Sequence, residues 1–229
     1  MDPSRGTLEE PAVRAMFNRI AGVYDLMNSV MTAGMHQCWR ERAADLARVG
    51  PGSRALDVAT GTGDLAIALA GRGAEVIGSD FAERMLQIAR GKAPGIRFEQ
   101  GNALELPYEA DSFDAATVGF GARNFSDLDR GLSEMARVVR PGGRVVVLEI
   151  TTPQRPPLSW FFRLWFDRAV PLIGRVAGDP DAYEYLPSSV RRFPGPRDLA
   201  GRMAAAGMED VRWLLTAGGI IAIHSGTVR

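Results

Sequence analysis

Ala55-Leu56-Asp57-Val58-Ala59-Thr60-Gly61-Thr62-Gly63-Asp64-Leu65 is the stretch around which this chain is organised. Its apolar run, 55–58, ends in small residues and opens into Leu65-Ala66-Ile67-Ala68-Leu69-Ala70, the layout of a strand, a tight turn and the start of a helix. Gly61 and Gly63 let the backbone turn sharply and let a ligand come close without a Cβ in the way. The first amides of the helix then face that ligand as unpaired donors. A second acid, Asp80, follows Val76-Ile77-Gly78, the end of the next expected strand, where it would reach the two hydroxyls of a ribose. Strand, glycine turn and helix are common by themselves; the flanking acids and Asp80 make this one specific. The turn lacks the full glycine fingerprint of a dinucleotide site, and Asp57 and Asp64 would repel a pyrophosphate. A cationic nucleoside such as S-adenosylmethionine would instead meet Asp57 through its amine, so the stretch reads as a methyl-donor site.

The sequence on either side of it predicts an α/β fold. Arg54 to Val58, Glu75 to Gly78, Ile96 to Glu99, Phe113 to Val118 and Arg144 to Glu149 read as strands. Helices are expected over Leu65 to Gly71, Ala82 to Arg90 and Ser126 to Val139. The last of these carries Leu128, Leu132, Met135 and Val139 on one stripe, a Ser126 and Asp129 capping pair, and a stop at Pro141-Gly142-Gly143. Apolar strands alternating with helices predict a doubly wound, mostly parallel, Rossmann-like sheet covered on both faces. Ligands of such sheets bind beyond the carboxyl ends of the strands. Gly61, Asp80, Asn102 and Gly119 all fall at such ends, so four separate segments converge on one crevice. A helix over Pro196 to Ala206 and a C-terminal antiparallel hairpin, Val211 to Leu215 with Gly219 to His224, close the chain.

Ahead of the first strand, residues 1–10 read as a loose tail. Val13, Phe17, Ile20 and Ala21 follow at helical spacing behind Pro11, and a second amphipathic helix runs from Trp39 to Val49 before Gly50-Pro51-Gly52. Between them Tyr24, His36 and Trp39 stand among apolar residues, so residues 11–50 form an N-terminal helical cap that covers the sheet edge or lines a pocket. After Glu149, Thr152-Pro153-Gln154-Arg155-Pro156-Pro157 breaks the periodicity and opens an inserted helical or lid segment, 151–195. It holds the most aromatic run in the chain, Trp160-Phe161-Phe162-Arg163-Leu164-Trp165-Phe166. That run reads either as a helix buried between sheet and lid or as a greasy mouth for a lipidic substrate, a membrane or a dimer contact. Asp179 to Pro187 reads as a loop and short helix.

The totals bound the function. A chain of 229 residues suits one α/β domain with an appendage, 1–229. Lysine plus arginine equals aspartate plus glutamate, 27 of each, which argues against a nucleic-acid partner. The single cysteine, Cys38, excludes an intramolecular disulfide, fits a reducing compartment and is expected to be a small apolar filler. Residues 1–10 contain no apolar core of a signal peptide. No run reaches the roughly eighteen apolar residues of a membrane span; the nearest, Leu158 to Val176, is interrupted by Arg163, Asp167, Arg168 and Arg175. The expectation is a cytoplasmic protein, at most peripheral to a membrane.

Tyr24-Asp25-Leu26-Met27-Asn28, followed by Gly34-Met35-His36 and Trp39, resembles a pattern of the class I S-adenosylmethionine-dependent methyltransferases of ubiquinone and menaquinone biosynthesis, which methylate carbon. Asp57 to Asp64 is similar to that family's donor loop, with Ala59 where a glycine is often found. Gly121-Ala122-Arg123-Asn124, the run 137–143, Glu149, Tyr183 to Leu186, Leu215-Thr216 and His224 extend the resemblance over about Val13 to Gly226. The resemblance implies that Thr62, with Gly61 and Gly63, holds the methionine part of S-adenosylmethionine, Asp80 the ribose, and Asn102-Ala103 the adenine edge. Gly119 stands where serine is common, a hydroxyl contact worth roughly 1 kcal/mol, and Thr32 replaces a usual serine. Ala217-Gly218-Gly219 departs from the pattern in the last hairpin.

The acceptor implied by the resemblance is a reduced prenylated quinone such as demethylmenaquinol, methylated on a ring carbon beside a phenolic hydroxyl. Two histidines and one cysteine without a spacing motif give no metal site. The protein must supply orientation and help with a proton. Arg123 and Asn124, just past the fourth strand, and Tyr24 and His36, from the cap, are the candidates. Arginine stays charged, so Arg123 is expected to stabilise the developing phenolate directly or through a water, with Asn124 orienting that water or the quinol oxygen. His36 has the intrinsic pKa of a base but equally suits a hydrogen-bonded cap. The prenyl tail needs an apolar route, with walls expected at Trp160 to Phe166 and Val170 to Val176, and would bring the enzyme transiently to a membrane surface. The same aromatic segment would serve a homodimer. The alternatives are a benzoquinol acceptor, another small hydrophobic metabolite, a non-catalytic module that binds the donor and, more remotely, a nicotinamide dehydrogenase.

Overall fold

The computed structural model describes residues 10–153, 156–164 and 180–229. Two helices, Glu10–Thr32 (α1) and Met35–Ala47 (α2), lead into the alternating part. That part runs Arg54–Val58 (β1), Asp64–Ala70 (α3), Glu75–Asp80 (β2), Glu83–Lys92 (α4), Arg97–Gln100 (β3) and Phe113–Gly119 (β4). A 3-10 turn at Ala122–Asn124 precedes Leu128–Val138 (α5) and Val139–Ile150 (β5). Leu158–Leu164 (α6), Pro180–Arg192 (α7), Pro196–Ala205 (α8), Met208–Thr216 (β6) and Ile221–Val228 (β7) complete the described chain.

The seven strands form one sheet in the order β3-β2-β1-β4-β5-β7-β6. β1 pairs in parallel with β2 and β4, β3 with β2, and β5 with β4. β7 inserts antiparallel between β5 and β6, which is the expected C-terminal hairpin. The sheet is parallel because its central strands are apolar on both faces. Leu56, Val58, Ala116, Val118, Val145 and Val147 pack with Leu132 and Met135 of α5 and Leu199 and Met203 of α8. The alternate residues Ala55, Ala115, Val146 and Leu148 pack with Ala43, Ala44 and Ala47 of α2 and Leu65 and Leu69 of α3. Strand order reverses between β1 and β4, and the crevice at that reversal is where ligands of such sheets bind.

Several expectations are corrected. Glu10 belongs to α1 rather than to a tail, and α1 continues without a break to Thr32. Asp127, not Ser126, caps α5, accepting from the Arg130 amide at 2.9 Å. The Pro141-Gly142-Gly143 stop lies within β5 as an irregularity: Phe113 pairs with Val139, Ala115 with Arg144. Gly142 has φ +81, and a Cβ on Gly143 would meet the Asp114 carbonyl at 2.6 Å, so both must be glycine. The loop and short helix expected over Asp179 to Pro187 form one longer helix, α7, which starts at Pro180 and accommodates Pro187; Asp179 lies outside the described residues. Cys38 is exposed rather than a core filler. In α6 Phe162 is buried while Trp160 and Leu164 face outward; Trp165, Phe166 and the wall expected at Val170 to Val176 lie outside the described residues. No helix among the described residues is long and apolar enough to cross a membrane.

Candidate active site

The crevice beyond β1, β2 and β4 is walled by Gly61, Thr62, Asp80, Asn102, Ala103 and Gly119, together with Asp57, Phe81, Met85 and Phe120. Gly63 does not line it. Its amide donates to the Thr60 carbonyl, its φ is +86, and a Cβ there would stand 2.9 Å from Phe98 Cζ and 3.1 Å from Ala89 Cβ. It is a packing glycine between the donor turn and β3. Gly61, at φ +56, has open space where a Cβ would project. Gly63→Ala is therefore expected to lower unfolding stability by about 1–3 kcal/mol through overpacking and backbone strain. Gly61→Ala should cost only about 1 kcal/mol; thermal unfolding of both variants tests the difference. A Cβ on Gly119 would come to 3.1 Å of Leu65 Cδ2, so this chain's glycine at that position matches the close packing of α3 against β4.

Of the turn's amides, those of Gly61 and Gly63 are committed within the protein. The Gly61 N–H donates to Asp80 Oδ2 at 2.8 Å, and the Ala82 N–H to Asp80 Oδ1 at 2.8 Å. Burial raises the Asp80 carboxyl to about 6, with these amide bonds pulling the other way. Asp57 is likewise buried. Its oxygens accept from Thr60 Oγ1 at 2.6 Å and from Thr117 Oγ1 at 2.7 Å, the latter brought opposite by the β1–β4 register. Burial raises Asp57 to about 6 as well. Two carboxylates thus lie at the base of the crevice in surroundings that disfavour their charge, and a cationic ligand would restore it. Asn102, held by Oδ1 accepting from the Leu104 amide at 2.9 Å, donates through Nδ2 to Glu10 Oε1 of α1 at 3.3 Å. The residues present therefore fit a cationic ligand.

α1 closes this crevice from above through a charged network. Thr62 Oγ1 donates to Asp25 Oδ1 of α1 at 2.6 Å, and Lys92 Nζ donates to Asp25 Oδ2 at 2.9 Å. Lys92 also bonds Asp64, at the first turn of α3, and Arg40 Nη2 of α2 stands 3.7 Å from Asp64 Oδ2. Arg40 lies over the Phe120 ring at 5.3 Å and bonds His36 Nδ1. An arginine can only donate, so Nδ1 is the acceptor and His36 carries its proton on Nε2. Nε2 faces Ser29 Oγ at 3.2 Å, and that hydroxyl donates to the Asp25 carbonyl at 2.9 Å. Burial and then Arg40 lower the His36 pKa. His36 is a neutral imidazole with both nitrogens engaged.

A second cavity, of about 390 Å³, opens against the first and shares Phe17, Tyr24, Phe120 and Asn124 with it. Its walls are mostly apolar: Met16, Ile20, Met27 and Met31 from α1, Met35 and Trp39 from α2, Phe162 from α6, Leu186 from α7, and Ile150 and Ile221. Four methionines make this an adaptable lining. The polar groups gather at the inner end. Arg123 Nη1 donates to Glu149 Oε1 at 2.6 Å and to the Phe120 carbonyl at 2.5 Å, and the Arg123 amide donates to Glu149 Oε2 at 3.2 Å. Burial opposes the Arg123 charge, but Glu149, with Tyr24 and Tyr185 in electrostatic range, raises its pKa overall. Arg123 Nε and Asn124 Oδ1 are buried without a hydrogen-bond partner. An unpaired donor and an unpaired acceptor thus sit on successive residues where the two cavities meet.

Glu149 and Tyr185 carry site geometry that sequence reasoning did not assign to the chemistry. An acid ending an apolar strand was the available signal for Glu149. Asp25 and Lys92 were missed in the same way, although Asp25 adjoins the candidate Tyr24.

A family model described as the ubiE/COQ5 methyltransferase family matches residues 5–228. The chain belongs to that family. A demethylmenaquinone methyltransferase of Thermus thermophilus is 47% identical over 218 residues, 92% of this chain and 99% of that one. One from Deinococcus radiodurans is 49% identical over 214 residues, 90% of this chain and 89% of the other. Among solved structures, an S-adenosylmethionine-dependent methyltransferase of Thermotoga maritima superposes with TM-score 0.69 at 21% identity, covering 94% of this chain and 99% of that one. The cyclase SpnF superposes with TM-score 0.68 at 18% identity, covering 95% of each. The structural likeness establishes the fold, and since a cyclase shares it, the reaction is assigned by the sequence family. This methyltransferase uses S-adenosylmethionine as co-substrate. Among its described residues no group of three or more histidines, cysteines or carboxylates could hold a metal ion.

Proposed function

We propose that this methyltransferase converts demethylmenaquinol to menaquinol, methylating a ring carbon of the reduced, prenylated naphthoquinol at the cytoplasmic face of a membrane. Two relatives at 47% and 49% identity bear the corresponding name. The observation that carries the reading is the orphaned pair Arg123 Nε and Asn124 Oδ1 at the junction of a donor crevice and a mostly apolar cavity. A quinol oxygen would accept from Arg123 Nε–H, and the water that takes its proton would donate to Asn124 Oδ1.

S-adenosylmethionine supplies an electrophilic methyl group on a sulfonium. The quinol hydroxyl loses its proton to water, and the ring carbon beside it forms the new C–C bond as the S–C bond breaks. The ring C–H proton then leaves to water while the oxygen takes a proton back, so that the neutral methylated quinol forms with one net proton released. Arg123, fixed by Glu149, holds the charge that develops on the oxygen. Asn124 orients the water that takes the proton, and Tyr24, which walls both cavities, packs the ring toward the donor. Thr62 and Gly61 hold the methionine end of the donor, Asp80 its ribose and Asn102-Ala103 its adenine. His36 is assigned a positioning role: its hydrogen bond with Ser29 ties α2 to α1 while Arg40, on the same helix, occupies its other nitrogen, and the proton passes to water rather than to the imidazole.

An anaerobic assay with methyl-labelled S-adenosylmethionine, reduced prenylated demethylnaphthoquinol, a matched benzoquinol and a control without acceptor tests this. Label is expected in menaquinol. Label in the benzoquinol alone would move the acceptor to the ubiquinone branch, and donor binding without transfer to either would refute a quinol acceptor.

A further inference from the structure

Beyond Arg19 the outer face of α1 carries exposed apolar residues that pack against nothing described. Val23, Leu26 and Val30 are 37%, 63% and 59% exposed, and Met35, at the start of α2, is 50% exposed. On α6, Trp160 is 70% and Leu164 51% exposed, while Phe162 between them turns into the cavity. Successive helical residues point roughly 100° apart, so the exposed pairs Leu26 and Val30 adjoin the cavity-lining Met27 and Met31. The exposed apolar residues therefore adjoin the rim of the cavity, which Asn28 and Thr32 also line.

The charges on these helices agree with an uncharged, hydrocarbon-facing contact. Between Arg19 and Thr32, α1 has a single carboxylate, Asp25, and Lys92 binds it. α6 contains no acid and one basic residue, Arg163. The other exposed apolar run, Trp213, Leu214 and Leu215 on the edge strand β6, belongs to neither cavity.

From these observations we infer that the outer faces of α1 and α6 insert into a lipid bilayer and open the methionine-lined cavity directly onto it. This inference rests on the proposed prenylated acceptor, whose tail would pass from bilayer to cavity between these helices without crossing water. Helices that present apolar side chains to a membrane bind by burying them in the headgroup boundary. Since the chain carries equal numbers of positive and negative residues, its binding owes little to overall charge and should survive high salt.

Co-sedimentation of the full chain with vesicles of phosphatidylethanolamine and phosphatidylglycerol, at low and high salt, tests the surface. Wild type is expected to sediment at both. The double variant L26Q/V30Q and, independently on the other helix, Trp160→Ser should each weaken partitioning, the double by more than about 10-fold. Leu214→Gln on β6 should leave it unchanged. Each variant should methylate a short-chain, water-soluble quinol at the wild-type rate but lose turnover on long-chain quinol embedded in vesicles. Failure of wild type to sediment, or sedimentation of both the double variant and Trp160→Ser like wild type, would overturn the docking surface. Transfer to soluble quinol without vesicle binding would refute the surface and leave the acceptor assignment standing. Vesicle binding that L26Q/V30Q and Trp160→Ser abolish, without transfer to any quinol, would uphold the surface and refute the acceptor.

Discussion

Arg123→Ala is expected to lower turnover by about 10²–10³, the loss of one preorganised donor to a developing oxyanion, while donor affinity changes by less than about twofold. The variant also has a structural consequence that must be separated from the chemical one. Glu149 is fully buried, and without the guanidinium it keeps only the amides of residue 123, at 3.2 Å, and Ile150, at 2.8 Å. A buried carboxylate stripped of its counter-charge typically costs about 3–5 kcal/mol, so thermal unfolding should shift down markedly. Adding Glu149→Gln removes the orphaned charge. The double variant should recover most of the unfolding temperature while turnover stays low. If turnover returned along with stability, Arg123 would serve only to neutralise Glu149, and the oxyanion role would be wrong. Titration of the donor into each variant completes the comparison.

How far the sequence foretold this site depends on the distance between partners. The glycine turn was legible because everything that shapes it is local: a β-branched strand end, Gly61 with positive φ, and an apolar helix start. The convergence of Gly61, Asp80, Asn102 and Gly119 was legible because parallel sheets place ligands at strand ends whatever the details. Gly63 was misread as facing the ligand, since its real constraint is Phe98, thirty-five residues on. The partner of Asp57 is Thr117, chosen by the β1–β4 register. Asp25 meets Thr62 and Lys92 only once α1 lies across the crevice. Pairings between elements far apart in sequence are fixed by packing, which composition and periodicity do not encode. His36 differs: its residue type is that of a base, and Arg40, four residues on along the same helix, was within reach of the helical period, whereas the contact with Ser29 depends on how α2 packs on α1.

Donor affinity should tighten as pH rises from 5 to 7 and level off above. Burial holds Asp80 and Asp57 near 6, against an ordinary value of 3.8, so both are largely protonated at pH 5. A carboxyl raised in the folded state binds its proton more tightly there than in the unfolded chain. Its contribution to stability is therefore greatest at low pH and is lost as pH climbs from about 4 through about 6. For Asp80 that loss is on the order of 2–3 kcal/mol. A cationic ligand reverses the balance, because the ionised carboxylates attract it and accept its hydroxyls. Below 6, affinity should approach a tenfold change per pH unit for each carboxylate that binding requires. Asp80→Asn should remove the share of this dependence that Asp80 contributes and leave that of Asp57. It should also weaken donor binding by about 10²–10³, the loss of two charge-assisted hydrogen bonds to a ribose. The asparagine NH₂ would face one of the Gly61 and Ala82 amides that the carboxylate now accepts, so the turn itself would lose a bond. Calorimetric titration across this range in two buffers of different ionisation enthalpy reads both the affinity and the protons released. Flat affinity between pH 5 and 7, or unchanged binding in Asp80→Asn, would remove Asp80 from the donor site.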